Sequence, residues 1–317
     1  MKEAEGQRLI GGLRRHSRFT HIIIFLLHRT DLRNILLDSL QPNTIQWNHN
    51  FITAEPLPSS SYRIHFTNAP TITADILIGA DGAWSRIRPL LTPIAPTYSG
   101  ISFIELVVSD VDNRFPHLGS LVGNGLAFIM SDNKGLIPQR NSNGVIRIYV
   151  GLRVPESWLD EHPLPSDPAD ARQNIISLFP DWDTNVLDLI KQSDDAPITP
   201  RKIYAFPPAH SWSTQLKGIT LLGDAAHVMS PFAGEGVNLA LIDAYELGRE
   251  LVGAVRNGGL MEQVDGGLRL FEKAMWQRAG EKGEESLNNL NALFAVHAPA
   301  EFVEIVKSYG PPPSDDV

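Results

Sequence analysis

Apolar and polar positions along this chain follow two periods. Alternating or short unbroken apolar runs occur at Thr44–Trp47, His49–Ala54, Tyr62–Phe66, Ile76–Ile78, Ile101–Val108, Gly125–Met130, Lys134–Pro138, Gly144–Arg153 and Ile219–Leu222. Turn residues separate them, and they predict strands. A short strand or strand end is also predicted at Ile22–Leu27. A period near 3.6 marks the helices. Leu32, Ile35, Leu36, Ser39 and Leu40 make one face, with Thr30 or Asp31 to cap its start. Pro168 to Phe179 makes a second helix, capped by Asp167 and stopped by Pro180. From Val237, residues Ala240, Ala244, Leu247, Leu251 and Val255 form one apolar stripe, with Asp243, Glu246, Arg249 and Glu250 off it. Met261 to about Tyr309 reads as largely helical. Phe271, Ala274, Met275 and Arg278 open its face, and Leu287, Leu290, Leu293 and Phe294 continue it.

Two of the strands end alike. Ile219–Leu222 is closed by Gly223 and Asp224, and Ile76–Ile78 leads to Asp81 and Gly82. Buried parallel strands end this way at their carboxyl edge, where open α/β sheets place ligands. After Asp224 comes a loop with Pro231, Gly234 and Gly236, then the helix. Glycines there let a flat ligand approach the backbone. The unpaired N–H groups of a helix start at Gly236–Asn238 favour negative charge. Asp224 is an acceptor suited to a ribose or ribityl hydroxyl.

The ordered set Gly-Asp-Ala-Ala-His, Pro231, Gly-x-Gly-x-Asn and Asp243-Ala244 resembles the flavin-dependent aromatic monooxygenases of the para-hydroxybenzoate hydroxylase-like group. Within it the chain is most similar to the tetracycline-inactivating flavin monooxygenases, through GDAAHxMxPFAGxGVN and Phe179-Pro180-Asp181-Trp182. The resemblance implies FAD as cofactor and NAD(P)H as co-substrate. It implies cofactor contacts for Asp224, Pro231, Gly234, Gly236, Val237 and Asn238. Gly-Ala-Asp-Gly-x-x-Ser-x-x-Arg matches the group's second flavin motif, implying a supporting role for Asp81 and a weaker one for Arg88. An R-x-D-L-R-x-x-L-L match implies that Arg29 reaches the FAD, where its guanidinium fork suits a pyrophosphate.

The implied fold class is α/β: an incomplete FAD/NAD(P)-binding doubly wound domain, an inserted mixed β-sheet substrate domain and a C-terminal helix. The expected boundaries are 1–96 and 205–257 for the two parts of the FAD-binding domain, 97–204 for the substrate-binding domain, and 258–317 for the helical segment and tail. "Incomplete" refers to the strand, GxGxxG turn and helix that open such folds, since no GxGxxG occurs in the chain. Neighbours of that strand are then expected to have unpaired edges. The abrupt change at His28 favours a miscalled gene start over a naturally shortened homologue.

Composition narrows the chemistry further. The 317 residues are 43% apolar and 20% charged, with a net charge of −9 that argues against a nucleic-acid partner. There is no cysteine, and the ten histidines show no ligand spacing, so no metal site is expected. Ile22–Leu27 is far shorter than the roughly 20 residues of a membrane span, and although Arg14, Arg15 and Arg18 precede it, no cleavage site follows. The protein is expected to be cytoplasmic and to act on a small molecule. Neither pattern nor resemblance specifies an oligomeric state or a general base. Glu105, Arg147 and Arg153, on predicted strands of the substrate domain, are candidates to face the substrate. The position that matches Gly125 is Arg in the tetracycline-inactivating group, a departure that argues against carrying over the same substrate. The expected activity is hydroxylation of an aromatic or polyketide-like molecule. The alternative is a flavin-deficient homologue acting as a binding or non-redox protein.

Overall fold

The computed structural model describes residues 18–22 and 29–308. In chain order its elements are β1 (Arg18–Ile22), α1 (Arg29–Asp38), β2 (Phe51–Pro56), β3 (Tyr62–Phe66), β4 (Ile72–Ala74), β5 (Leu77–Gly79), β6 (Thr97–Val108), α2 (Val111–Arg114), α3 (Pro116–Val122), β7 (Leu126–Ser131), β8 (Lys134–Asn141), β9 (Val145–Arg153), α4 (Trp158–Glu161), α5 (Pro168–Ile176), α6 (Thr184–Lys191), β10 (Thr199–Ala205), β11 (Ile219–Leu221), α7 (Asp224–His227), α8 (Gly236–Arg256), α9 (Met261–Leu293) and α10 (Ala300–Ser308). The expected run at Ile22–Leu27 lies outside the described residues beyond Ile22. Among the described residues there are two compact units. One takes the segments up to Leu40, Gly100–Ile203 and from Asn289; the other takes Gln41–Ser99 and Tyr204–Asn288.

The first unit is built on a six-stranded sheet in the order β1-β7-β8-β9-β6-β10. Strand periodicity sorts its faces. Ile104, Leu106 and Val108 of β6 and Ile146, Ile148, Val150 and Leu152 of β9 share one buried cluster with Leu118, Ile175, Phe179, Val186 and Leu189 from the helical layer. The odd-numbered positions turn the other way and carry Phe103, Glu105, Arg147 and Tyr149. Asp167 accepts from the N–H groups of Ala169 and Asp170, which starts α5 as expected.

The second unit holds the antiparallel meander β2-β3-β4 and the parallel pair β5–β11. Its core joins Ala54, Tyr62 and Ile64 of the meander with Leu77, Ile219, Leu221, Leu247, Leu268, Phe271 and Met275. Tyr62 donates to Lys217 O at 2.5 Å, and burial pushes its phenol up to about 12.

Several local expectations need correction. Residues 44–47 form turns, not a strand. Asn43 and Asn48 on either side have positive φ, and the side chains of Thr44 and Gln46 donate to the Gln41 and Asn43 carbonyls, which competes with strand pairing. The C-terminal helical region is two helices, since α9 ends at Leu293 and α10 begins just after Pro299. Ala274 and Leu287 are exposed, so the buried face of α9 runs instead through Phe271, Met275, Ala279 and Leu290. On α1, Ile35, Leu36 and Leu40 are exposed, and Leu32 and Leu37 are the half-buried positions.

The α8 stripe is rotated as well. Its buried residues are Leu239, Asp243, Leu247 and Ala254, whereas Ala244 and Val255 are exposed. Asp243, placed off the stripe by its charge, is only 1% exposed. The reason is electrostatic and appears in the site.

Candidate functional site

The site is built around two strand tips. β5 and β11 pair in parallel, with Leu77 opposite Ile219 and Gly79 opposite Leu221. Leu222 N–H extends the ladder to Gly79 O at 3.0 Å. Parallel strands bring their carboxyl ends to one edge. Asp81 and Asp224 therefore leave the same edge, and both are exposed. Gly79 is where the two chains approach closely, because a Cβ there would meet Leu221 Cδ2 at 2.5 Å.

Each tip is closed by local hydrogen bonds. Asp81 Oδ2 accepts from Arg86 N–H at 2.8 Å. Ser85 Oγ accepts from the N–H groups of Ile87 and Arg88, and Pro89 lies in the short 3₁₀ turn that follows, whose cap position is Ile87 and not the expected Ser85. At the other tip Gly223 has φ +57, and Asp224 begins α7. After Ser230, Pro231 opens a 3₁₀ turn that Gly234 ends with φ +69. Gly236 then starts the 21-residue α8. Val237 is 55% exposed, and Asn238 donates to Glu235 Oε2 at 3.0 Å.

This arrangement fits the flavin end of FAD. A Cβ on Gly234 or Gly236 would meet nothing within 4 Å, so open space lies above both. The first N–H groups of α8 are donors without helical acceptors. Asp224 supplies an exposed acceptor at the strand tip.

Behind the exposed loop is a buried polar network that the pattern of the sequence did not reveal. Asp243 Oδ2 accepts from Gly223 N–H at 3.0 Å and from His227 Nε2 at 2.5 Å, and Oδ1 accepts from Arg278 Nη2 at 3.2 Å. Arg278 also pairs with Glu246 at 2.9 Å. These partners satisfy a charge that could not otherwise be buried. Arg88, 4% exposed, donates to Ala225 O and Ala83 O and stacks its guanidinium 4.8 Å from the Phe206 ring centre. It thus ties the two motifs together from behind. Burial lowers its pKa, partly offset by Asp81.

His210 lies beside this network. It stacks on Phe206 with ring centres 4.5 Å apart, and neither ring nitrogen has a hydrogen-bond partner. Burial, then the positive charges of Arg88 and His227, lower its pKa from 6.5 to about 4. Because the folded value is depressed, the unfolded chain takes up this proton first. The neutral ring's contribution to stability is complete above about pH 6.5 and is lost as pH falls toward 4. The maximum effect is about 3 kcal/mol. We expect His210→Phe to reduce the fall in melting temperature between pH 7 and pH 4.5, measured by calorimetry. An unchanged pH profile would show that His210 is not the group responsible.

The three candidate substrate residues lie in the other unit. In the β6–β9 register Glu105 faces Tyr149 and Val107 faces Arg147, so Glu105 and Arg147 are diagonal neighbours on one sheet face. They form an ion pair, and Arg201 of β10 approaches the second carboxylate oxygen at 3.5 Å. The Phe103 and Tyr149 rings lie 5.5 Å apart on the same face. Arg153 is used differently. Its Nε donates to Phe294 O at 3.0 Å and Nη2 donates to Asn291, anchoring the end of α9. Arg29 is the first residue of α1, and its side chain lies outside the described residues.

The FAD binding domain family model matches residues 16–265. The chain belongs to this family. Monooxygenase penA of Penicillium thymicola is 29% identical over 89% of the chain and 76% of that protein. Among solved structures, Klebsiella pneumoniae HpxO complexed with FAD and uric acid is 20% identical with a TM-score of 0.67, covering 89% of this chain and 67% of that one. Tetracycline destructase Tet(51) is 19% identical with a TM-score of 0.58, covering 88% and 71%. The protein is an FAD-dependent monooxygenase. Its α/β fold is shared with FAD-containing relatives. The match does not favour the flavin-deficient alternative. No helix among the described residues is long and apolar enough to cross a membrane.

Proposed function

We propose that the protein hydroxylates an aromatic or polyketide-like small molecule, using NAD(P)H and O₂. The observation that carries this reading is the parallel β5–β11 pair, which brings Asp81 and Asp224 to one edge beside a loop that is open above Gly234 and Gly236. When bound and reduced, FAD would supply the oxygen-activating chemistry; the protein supplies position, charge and exclusion of water.

Each residue then has a task. Asp224 accepts a hydrogen bond from a ribityl hydroxyl. Pro231, Gly234 and Gly236 border the ring without obstructing it, and the N–H groups at Gly236, Val237 and Asn238 stabilise negative charge at its edge. Asp81 shapes the turn nearest the cofactor's diphosphate and the approach of the nicotinamide. Arg29 pairs with the diphosphate. Glu105 and Arg147, on a sheet face with Phe103 and Tyr149, recognise polar groups on a ring-bearing substrate. On this reading residues 97–204 form the substrate domain, inserted between the FAD-binding parts 1–96 and 205–257, with 258–317 as the C-terminal helical segment. On the same reading the protein works in the cytoplasm.

The absorption spectrum of the purified protein, with and without added FAD, tests the proposal. A yellow protein holding about one equivalent of flavin, whose NAD(P)H oxidation rises with an aromatic substrate, is expected. Saturating FAD at about one hundred times its Kd should raise stability by roughly 2.7 kcal/mol. A colourless protein with no thermal stabilisation by FAD would overturn it.

A further inference from the structure

We propose that Asp243 is a positioning residue for the cofactor, setting the direction of the Asp224 carboxylate from beneath the strand tip. The inference rests on the reading of Asp224 as a flavin contact, and it adds a residue that touches no ligand.

The geometry is specific. One oxygen, Asp243 Oδ2, accepts from Gly223 N–H and from His227 Nε2, the residues immediately before α7 and at its end. That four-residue turn begins with Asp224, so a single buried atom holds both ends of the segment that carries it. Gly223 is at φ +57, where a side chain would be strained, and a Cβ would approach Ala240 Cβ to 3.2 Å. Glycine reaches that region without strain but leaves it as readily, so its position needs a restraint. The hydrogen bond from Gly223 N–H is that restraint. The other oxygen, Oδ1, is held by Arg278, which is itself held by Glu246. Arg88 grips Ala225 O within the same turn. The turn is therefore fixed at its start, middle and end.

Stability alone does not account for a carboxylate here. Asp243 lies on the buried stripe of α8, where an apolar side chain of similar size would pack at no desolvation cost. Buried ion networks contribute little net stability compared with apolar replacements, and they are best explained where they define a geometry. The geometry defined here is that of the strand tip. The carboxylate acts at a sequence distance of 20 residues through Gly223 and of 16 through His227.

The test is a double-mutant cycle on FAD affinity. Flavin-fluorescence titrations would compare the unmodified protein, D224A, D243N and D224A/D243N, with apo-protein melting curves measured alongside. We expect D224A to weaken FAD binding at least tenfold and D243N to weaken it about tenfold. We expect D243N to add less than a twofold loss in the D224A background, because the contact it positions is already gone. A merely structural residue would cost the same factor in both backgrounds, and that result would overturn the positioning role. Should D243N not fold, R278Q, which releases Oδ1 from outside the turn, is expected to give the same non-additive pattern with a smaller factor; additivity there would overturn the role equally. Unchanged FAD affinity in D224A is a distinct result. It would overturn the cofactor reading of Asp224, and the positioning role with it.

Discussion

Gly236→Val is expected to reduce FAD affinity by two orders of magnitude or more while the apo-protein still folds. The separation of these effects follows from the local geometry. A Cβ at Gly236 meets no atom within 4 Å, so the new side chain enters open space and displaces no protein group. Its φ is not in the left-handed region, unlike that of Gly234, so the backbone is not strained by a branched residue. Valine is also no worse than glycine in a helix. Two methyl groups would nevertheless occupy the space where a planar ring must lie against the N–H donors of α8, and a rigid tricycle cannot adapt to them. Titration of the variant with FAD, together with its melting curve, checks the expectation. If the variant binds FAD as the parent does, the ring does not lie over this helix start. If it fails to fold, the space above Gly236 is used by the protein itself.

The second large effect concerns stability. Glu272→Ala is expected to cost about 3–5 kcal/mol, the range for breaking a buried charge network by removing one partner. Glu272 has no exposed surface. Its Oε1 accepts from Trp212 Nε1 at 3.0 Å and from Thr220 Oγ1 at 2.8 Å, and Oε2 accepts from Arg269 at 2.5 Å. Arg269 in turn reaches Asp265 at 3.0 Å. Alanine would leave an indole N–H and a hydroxyl unpaired among the apolar residues behind β11, and would strip Arg269 of one of its two carboxylate partners. At about 2–4 °C per kcal/mol, the melting temperature should fall by roughly 10 °C. Differential scanning calorimetry would measure it, and a fall below about 3 °C would mean that water or a neighbour replaces the lost acceptor. Glu272→Gln should cost less, because Gln retains an acceptor of the same shape.

Much of the architecture was legible along the chain because it depends on near neighbours. The antiparallel strands of the larger sheet were marked by alternation between turn residues, and one face of β6 and β9 is apolar at every second residue. The cap at Asp167 was readable for the same reason, since a helix start is satisfied from two or three residues away. The two glycine–aspartate strand ends also stood out, and the pairing of β5 with β11 follows from apolar runs that can be buried only within a sheet.

What the linear order could not convey was which charges are interior. Asp243 looked like a solvent-facing residue of an amphipathic helix, because periodicity reads its charge and not its partners. Those partners are 16, 20 and 35 residues away, and only when they converge does burying the carboxylate become favourable. The same holds for Glu272, whose acceptor role spans 52 and 60 residues. It also holds for Arg153, which faces the end of α9 because folding brings the Phe294 carbonyl to it. Local periodicity and turn chemistry thus specified the elements and the strand tips that present Asp81 and Asp224. Long-range convergence specified the electrostatic support beneath them, because the free energy of a buried charge depends on every group around it and not on its place in a repeat.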